Sequence, residues 1–190
     1  MDSPAEHQAG EQAQEADASK SRFQGWVAGI YVAQFPDPKE VQLFPCERED
    51  VEALGRPKDE DELRTSPFWF DPPSYLPPGT FDWTYPGGDA CGSEPAFGIW
   101  REFLVDGGAE ITIGRSWRRY FRGDFSEDRV QSGSINGLPA VIIPPFTAEG
   151  YGDSHIIVRD PSGGTIQVNG FQLPLSELQK IAEALVRDLT

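Results

Sequence analysis

From residue 97 to residue 171 the chain falls into six short segments rich in β-branched and aromatic residues, each ended by a turn signal, and one helical pattern follows them. Segments this short cannot bury themselves singly and must share a sheet. "FGIWREFLV" (97–105) and "AEITIGRSWRRYF" (109–121) flank Asp106-Gly107-Gly108, a hairpin signal. Ile111 and Ile113 alternate with Glu110 and Thr112, as a half-buried strand requires. "RVQSGSIN", "LPAVIIP", "SHIIVRD" and "GTIQVNG" are four more candidate strands, punctuated by Asn136-Gly137 and Ser162-Gly163-Gly164. The period then changes. Leu178, Ile181, Ala182, Leu185 and Val186 fall on one stripe of a helix over 177–187, with Ser176 and Gln179 spaced as a capping box. Such a stripe must dock, and the sheet is the large partner available. The expected fold is therefore α+β, an antiparallel sheet with a C-terminal helix packed on one face.

The first half is less regular. Residues 1–21 are mostly Glu, Gln, Ala and Ser, too apolar-poor to offset the entropy of ordering, and read as a disordered acidic tether. Residues 22–190 then make a single domain. "FQGWVAGIYVAQF" (23–35) reads as a strand and "EVQLF" (40–44) as its hairpin partner. "EREDVEALGRP" has acids in its first turn, Gly55 at its end and Pro57 beyond, which predicts a short helix. "KDEDEL" continues an acidic, solvated surface. Between 66 and 88 aromatics alternate with prolines. Aromatics in that setting pin an irregular segment to a core; stacking of a sugar on Trp69, Trp83 or Tyr85 is the other use.

Charge narrows the function. The net charge of −15 repels nucleic acid and anionic membrane, so neither is an expected partner. No apolar run is long enough to span a bilayer, and no apolar core of a signal peptide stands at the N-terminus. The expectation is a cytoplasmic protein if Met1 is the natural start, and otherwise one anchored through a segment not present here. Cys46 and Cys91 are the two cysteines. They leave one disulfide or two thiols open.

Candidate chemistry is sparse. His155 stands before "IIVRD" without the neighbours of a nucleophile–base set. With two histidines and two distant cysteines there is no usual metal spacing, so no metal and no cofactor are expected. Arg115, Arg118, Arg119 and Arg122, interleaved with Trp117, Tyr120 and Phe121, form a basic cluster in an acidic chain. Arg115, Arg118, Arg119 and Trp117 are the candidate ligand-binding residues, suited to an anionic ligand or acidic protein partner. The alternative is arginines paired with the chain's own carboxylates.

Two resemblances bear on this. "ITIGRS" (111–116) and "RDPSGGTIQVNG" (159–170) resemble pieces of the forkhead-associated domain, a phosphothreonine reader, with Arg115 as its arginine. That family's Ser-x-x-His does not follow, and a helix stands where its strands would continue. More of the chain, 71–187, resembles a domain of bacterial cell-envelope proteins found after anti-sigma factors and lipoprotein anchors. The shared phrases are Leu76, Pro77 and Gly79; then Asn136, Gly137 and Ala140; then Leu175, Ser176, Gln179, Ile181 and Ala182. This resemblance implies the lipoprotein-sorting fold, a curved antiparallel sheet with helix on one face, and no catalytic residues. It implies an oxidising compartment and, with it, a Cys46–Cys91 disulfide closing about 45 residues. The expected function is thus a non-enzymatic extracytoplasmic binding or regulatory module of the cell envelope. A phosphopeptide or anion reader centred on Arg115 is the alternative, and a hydrolase using His155 a third class.

Overall fold

A computed structural model of the protein describes residues 21–43, 59–84, 86–89, 98–146 and 152–190. The tether, apart from Ser21, the short helix expected within 47–57, Tyr85 and both cysteines lie outside the described residues. The strands begin with β1 (Gly25–Val27), β2 (Ile30–Ala33), β3 (Thr80–Asp82) and β4 (Gly87–Asp89). They continue with β5 (Gly98–Val105), β6 (Ala109–Ser116), β7 (Tyr120–Arg122) and β8 (Gln131–Ile135). The last are β9 (Leu138–Ile143), β10 (Asp153–Arg159) and β11 (Thr165–Phe171). The helices are α1 (Glu60–Arg64) and α2 (Leu175–Leu189).

Eight strands make one antiparallel sheet, ordered β3-β5-β6-β11-β10-β9-β8 with β4 also on β5. Alternation sorts its side chains. Phe103, Ile111, Ile113, Ile156, Val158, Ile166 and Val168 point to one face, where they meet Leu178, Ile181, Ala182, Leu185 and Val186 of α2. The α+β expectation holds: the C-terminal helix packs on the antiparallel sheet. Each fully buried Leu or Ile there contributes about 1.5–3 kcal/mol from area alone. The Pro-rich segment joins this face, with Phe68, Trp69, Tyr75 and Leu76 against the core. Among the described residues no helix is long and apolar enough to cross a membrane.

A second sheet covers part of the opposite face. β1, β2 and β7 form it, with β2 and β7 parallel. Its Ile30, Val32 and Phe121 pack with Phe125 on Val141, Ile143 and Ile157.

Four local expectations are corrected. The hairpin partner of β1 is β2, inside the segment read as one strand, and residues 41–43 form no strand. Ala28 and Gly29, at φ 51° and 75°, make the tight turn, and neither residue advertises it in an apolar run. The stretch 109–121 is two strands. β6 ends at Ser116, opposite the first residue of β11, and the chain then crosses to the small sheet. The helix begins at Leu175, behind Pro174, so Ser176 sits inside the first turn and supplies no cap; the Pro174 carbonyl accepts from Glu177 N–H and Leu178 N–H. "KDEDEL" is more than solvated surface: Asp59 caps α1 through Glu62 N–H, and α1 buries Leu63 in the core.

Candidate functional site

The arginine cluster divides into two pairs with different work. Arg115 continues the Ile111–Ile113 alternation to the helix side of β6 and meets the β10–β11 turn. Its Nε donates to Asp160 Oδ2 at 2.6 Å, and its two other nitrogens reach Ser162 Oγ at 3.4 Å and the Pro67 carbonyl at 3.3 Å. Asp160 is 3% exposed, and its other oxygen accepts from the Ser162 N–H and hydroxyl at 2.8 and 2.7 Å. Burial pushes the Asp160 carboxyl up; the hydrogen bonds from Arg115 and Ser162 outweigh it and hold the group below the ordinary aspartate range. Arg119 secures the same turn, its Nε donating to the Gly163 carbonyl at 2.9 Å. The turn lies flat on β6: a Cβ on Gly164 would stand 1.8 Å from the Ser116 carbonyl oxygen, so no side chain fits. Arg115 and Arg119 thus hold a turn. For Arg115, the reading of arginines paired with the chain's own carboxylates describes the geometry; Arg119 is held by a backbone carbonyl instead.

Arg118 and Arg122 stand elsewhere. They bracket Tyr120, with guanidinium carbons 5.9 and 5.8 Å from its ring centroid. With Tyr120, Phe121 and Gln167 they line an open recess of about 180 Å³ between the last strand of the small sheet and the uncovered part of the large one. Gln167 belongs to the face away from α2, and its neighbour across β6 is Gly114, which leaves that part of the face low. The Gln167 amide nitrogen donates one of its two hydrogens to Thr165 Oγ1 at 3.3 Å. Trp117 is exposed at the end of β6, outside this lining. Of the four residues expected from sequence, Arg118 alone lines the recess. Arg122 was in the basic cluster, and Gln167 was missed. Strand parity gives Gln167 a face, but no local signal says that a second sheet stops beside it.

His155 lies in the seam between the sheets. Phe121 and Phe125 hold its ring at 5.2 and 5.1 Å, and Nδ1 meets Asn169 Oδ1 at 2.9 Å. Burial pushes the imidazole below its ordinary value, against the Asn169 hydrogen bond. Among the described residues no three His, Cys, Asp or Glu side chains are close enough to hold a metal ion. Of the aromatics weighed for stacking, Trp69 is packed between Arg64 and Arg101 at 4.6 and 4.8 Å, whereas Trp83 is 54% exposed. Arg101 is a buried cation that the sequence did not mark; its Nε donates to the Phe70 carbonyl.

No family model, no curated protein and no solved structure matches this chain.

Proposed function

We propose that this chain is a non-catalytic binding module of the bacterial cell envelope that takes an anionic group, on a protein or a small molecule, in the recess between its two sheets. One observation carries the binding: Arg118 and Arg122 flank a recess in a chain of net charge −15. Two guanidinium groups beside an amide suit a dianion such as a sulfate or phosphate monoester. A volume of about 180 Å³ suits a compact head group. The non-catalytic reading is supported by His155, whose half-buried ring packs against two phenyl groups and is tied to Asn169. The envelope assignment rests on the order of the three phrases from Leu76 to Ala182.

Calorimetric titration with sulfate and with glycerol phosphate tests the site. The wild type is expected to bind both saturably, and Arg118→Ser/Arg122→Ser to bind neither while keeping its fold. Arg115→Gln is expected to bind with lower thermal stability. Absence of saturable binding would remove the anion reading. Binding lost in Arg115→Gln but kept in the double variant would move the site to Arg115 and favour a phosphothreonine reader.

A further inference from the structure

We propose that the recess is occupied in the resting protein by the chain's own acidic N-terminal segment, residues 1–20, which sets its carboxylates on Arg118 and Arg122 and gives way to a dianion. The proposal rests on the anion reading of the recess and adds its regulation. Charge comes first. Residues 1–20 carry Asp2, Glu6, Glu11, Glu15 and Asp17 against a single basic residue, Lys20. Across from them Arg122 is exposed and Arg118 half-buried at the mouth of the recess. A carboxylate on such a guanidinium binds weakly when it arrives from solution. A tethered one acts at an effective concentration in the millimolar range, which is enough to compete with a dilute ligand.

The point of attachment supplies the reach. The Ser21 carbonyl accepts from Glu127 N–H at 3.0 Å, Arg22 bridges to Ser126, and its Nε pairs with Asp124 at 3.2 Å. The segment is therefore fixed to the stretch that directly follows β7. Glu127 is five residues beyond Arg122, at most about 18 Å along an extended chain. Glu15 and Glu11, six and ten residues before Ser21, span about 20 and 33 Å when extended. Both reach the recess without any movement of the described residues.

The border of the recess suits an extended occupant. β7 is the last strand of the small sheet, and β2 pairs with one of its edges. Tyr31 N–H donates to the Arg119 carbonyl and Gly123 N–H to the Ala33 carbonyl. By alternation the main-chain groups of Tyr120 and Arg122 point away from β2, to the side on which the recess lies. An extended segment lying there meets main chain of β7 as well as the two guanidinium groups, the arrangement in which a peptide adds to a sheet edge. Gly114, the neighbour of Gln167 across β6, keeps the floor beneath it low.

Calorimetric titration of the full chain with sulfate, at constant low ionic strength, tests the occupant. Glu6→Gln/Glu11→Gln/Glu15→Gln/Asp17→Asn is expected to bind sulfate roughly fivefold more tightly than the wild type. Asp61→Asn/Glu62→Gln/Asp71→Asn/Glu183→Gln removes as many charges from exposed positions on the helix side. It is expected to stay within about twofold of the wild type, because charges that distant are screened. Equal gains in the two variants would reduce the effect to net charge and overturn the proposal, as would wild-type affinity in the N-terminal variant. Amide NMR of the full chain gives a readout without sulfate. Arg118→Ser/Arg122→Ser is expected to shift the signals of residues 11–17, and unmoved signals refute docking. If sulfate binds to none of the proteins, the anion reading of the recess fails by itself, and these shifts decide whether the segment sits there.

Discussion

Arg115 and Asp160 are 45 residues apart in sequence and 2.6 Å apart in space. Removing one member of a buried pair leaves the other charge desolvated, so Asp160→Ala should cost about 3 kcal/mol in denaturant melts. A change within experimental error would mean that the turn does not depend on the pair. The Asp160 carboxyl is held below its ordinary value. Its contribution is therefore present above the unfolded value of about 3.9 and lost as pH falls through the folded one. Gly164→Ala should be strongly destabilising, since the added carbon meets backbone rather than a movable side chain. At this scale the basic character of 115–122 was readable, because charge is a property of residues. The division into turn-holding Arg115 and Arg119 and recess-lining Arg118 and Arg122 was not. It depends on which strands end beside each guanidinium.

Among the elements, α2 was the most legible, and its stripe names its buried side. Ile181 and Leu185 are 0% and 1% exposed. Leu185→Ala should cost about 2–5 kcal/mol, as large-to-small core changes do. Lys180 pairs with Glu177 on the surface at 2.6 Å, and Lys180→Ala should cost within about 0.5 kcal/mol. Equal stabilities for the two variants would show that the stripe is not core. Ser176→Ala should also be nearly neutral, because the residue makes no cap bond. Long-range ties add to the packing. Asp188 accepts from the Ser74 N–H and hydroxyl, and Asn136 Nδ2 donates to the Glu183 carbonyl at 2.7 Å. Those ties use Ser and Asn positions that in sequence signal only turns. The β1–β2 hairpin was missed for a related reason. A continuous apolar run hides a two-residue turn when the turn is Ala-Gly.

The described residues form layers about one sheet: α2 and the Pro-rich segment on one face, the β1-β2-β7 sheet on the other. β9 and β10 serve both, with Ala140, Ile156 and Val158 toward the helix and Val141, Ile143 and Ile157 toward the small sheet. The small sheet has strands of three, four and three residues. It buries fewer side chains than the helix layer and should open at lower cost. Native-state hydrogen exchange is expected to show Ile30–Ala33 exchanging through a sub-global opening, below the free energy for Ile156–Val158. One shared exchange free energy for both layers would show instead that the molecule unfolds as a unit.

Periodicity alone marked the large-sheet strands β5, β6, β8, β9, β10 and β11 and the buried stripe of α2, because period and turn chemistry act between near neighbours. Tertiary structure alone decided that a second sheet covers part of the far face, that Arg115 is held by Asp160, that Phe121 leans on His155 and that Gln167 lines one recess with two arginines. Each of these joins residues distant in sequence across the gap between two layers. Alternation along a strand says which face a side chain takes; what stands opposite that face depends on how the chain returns.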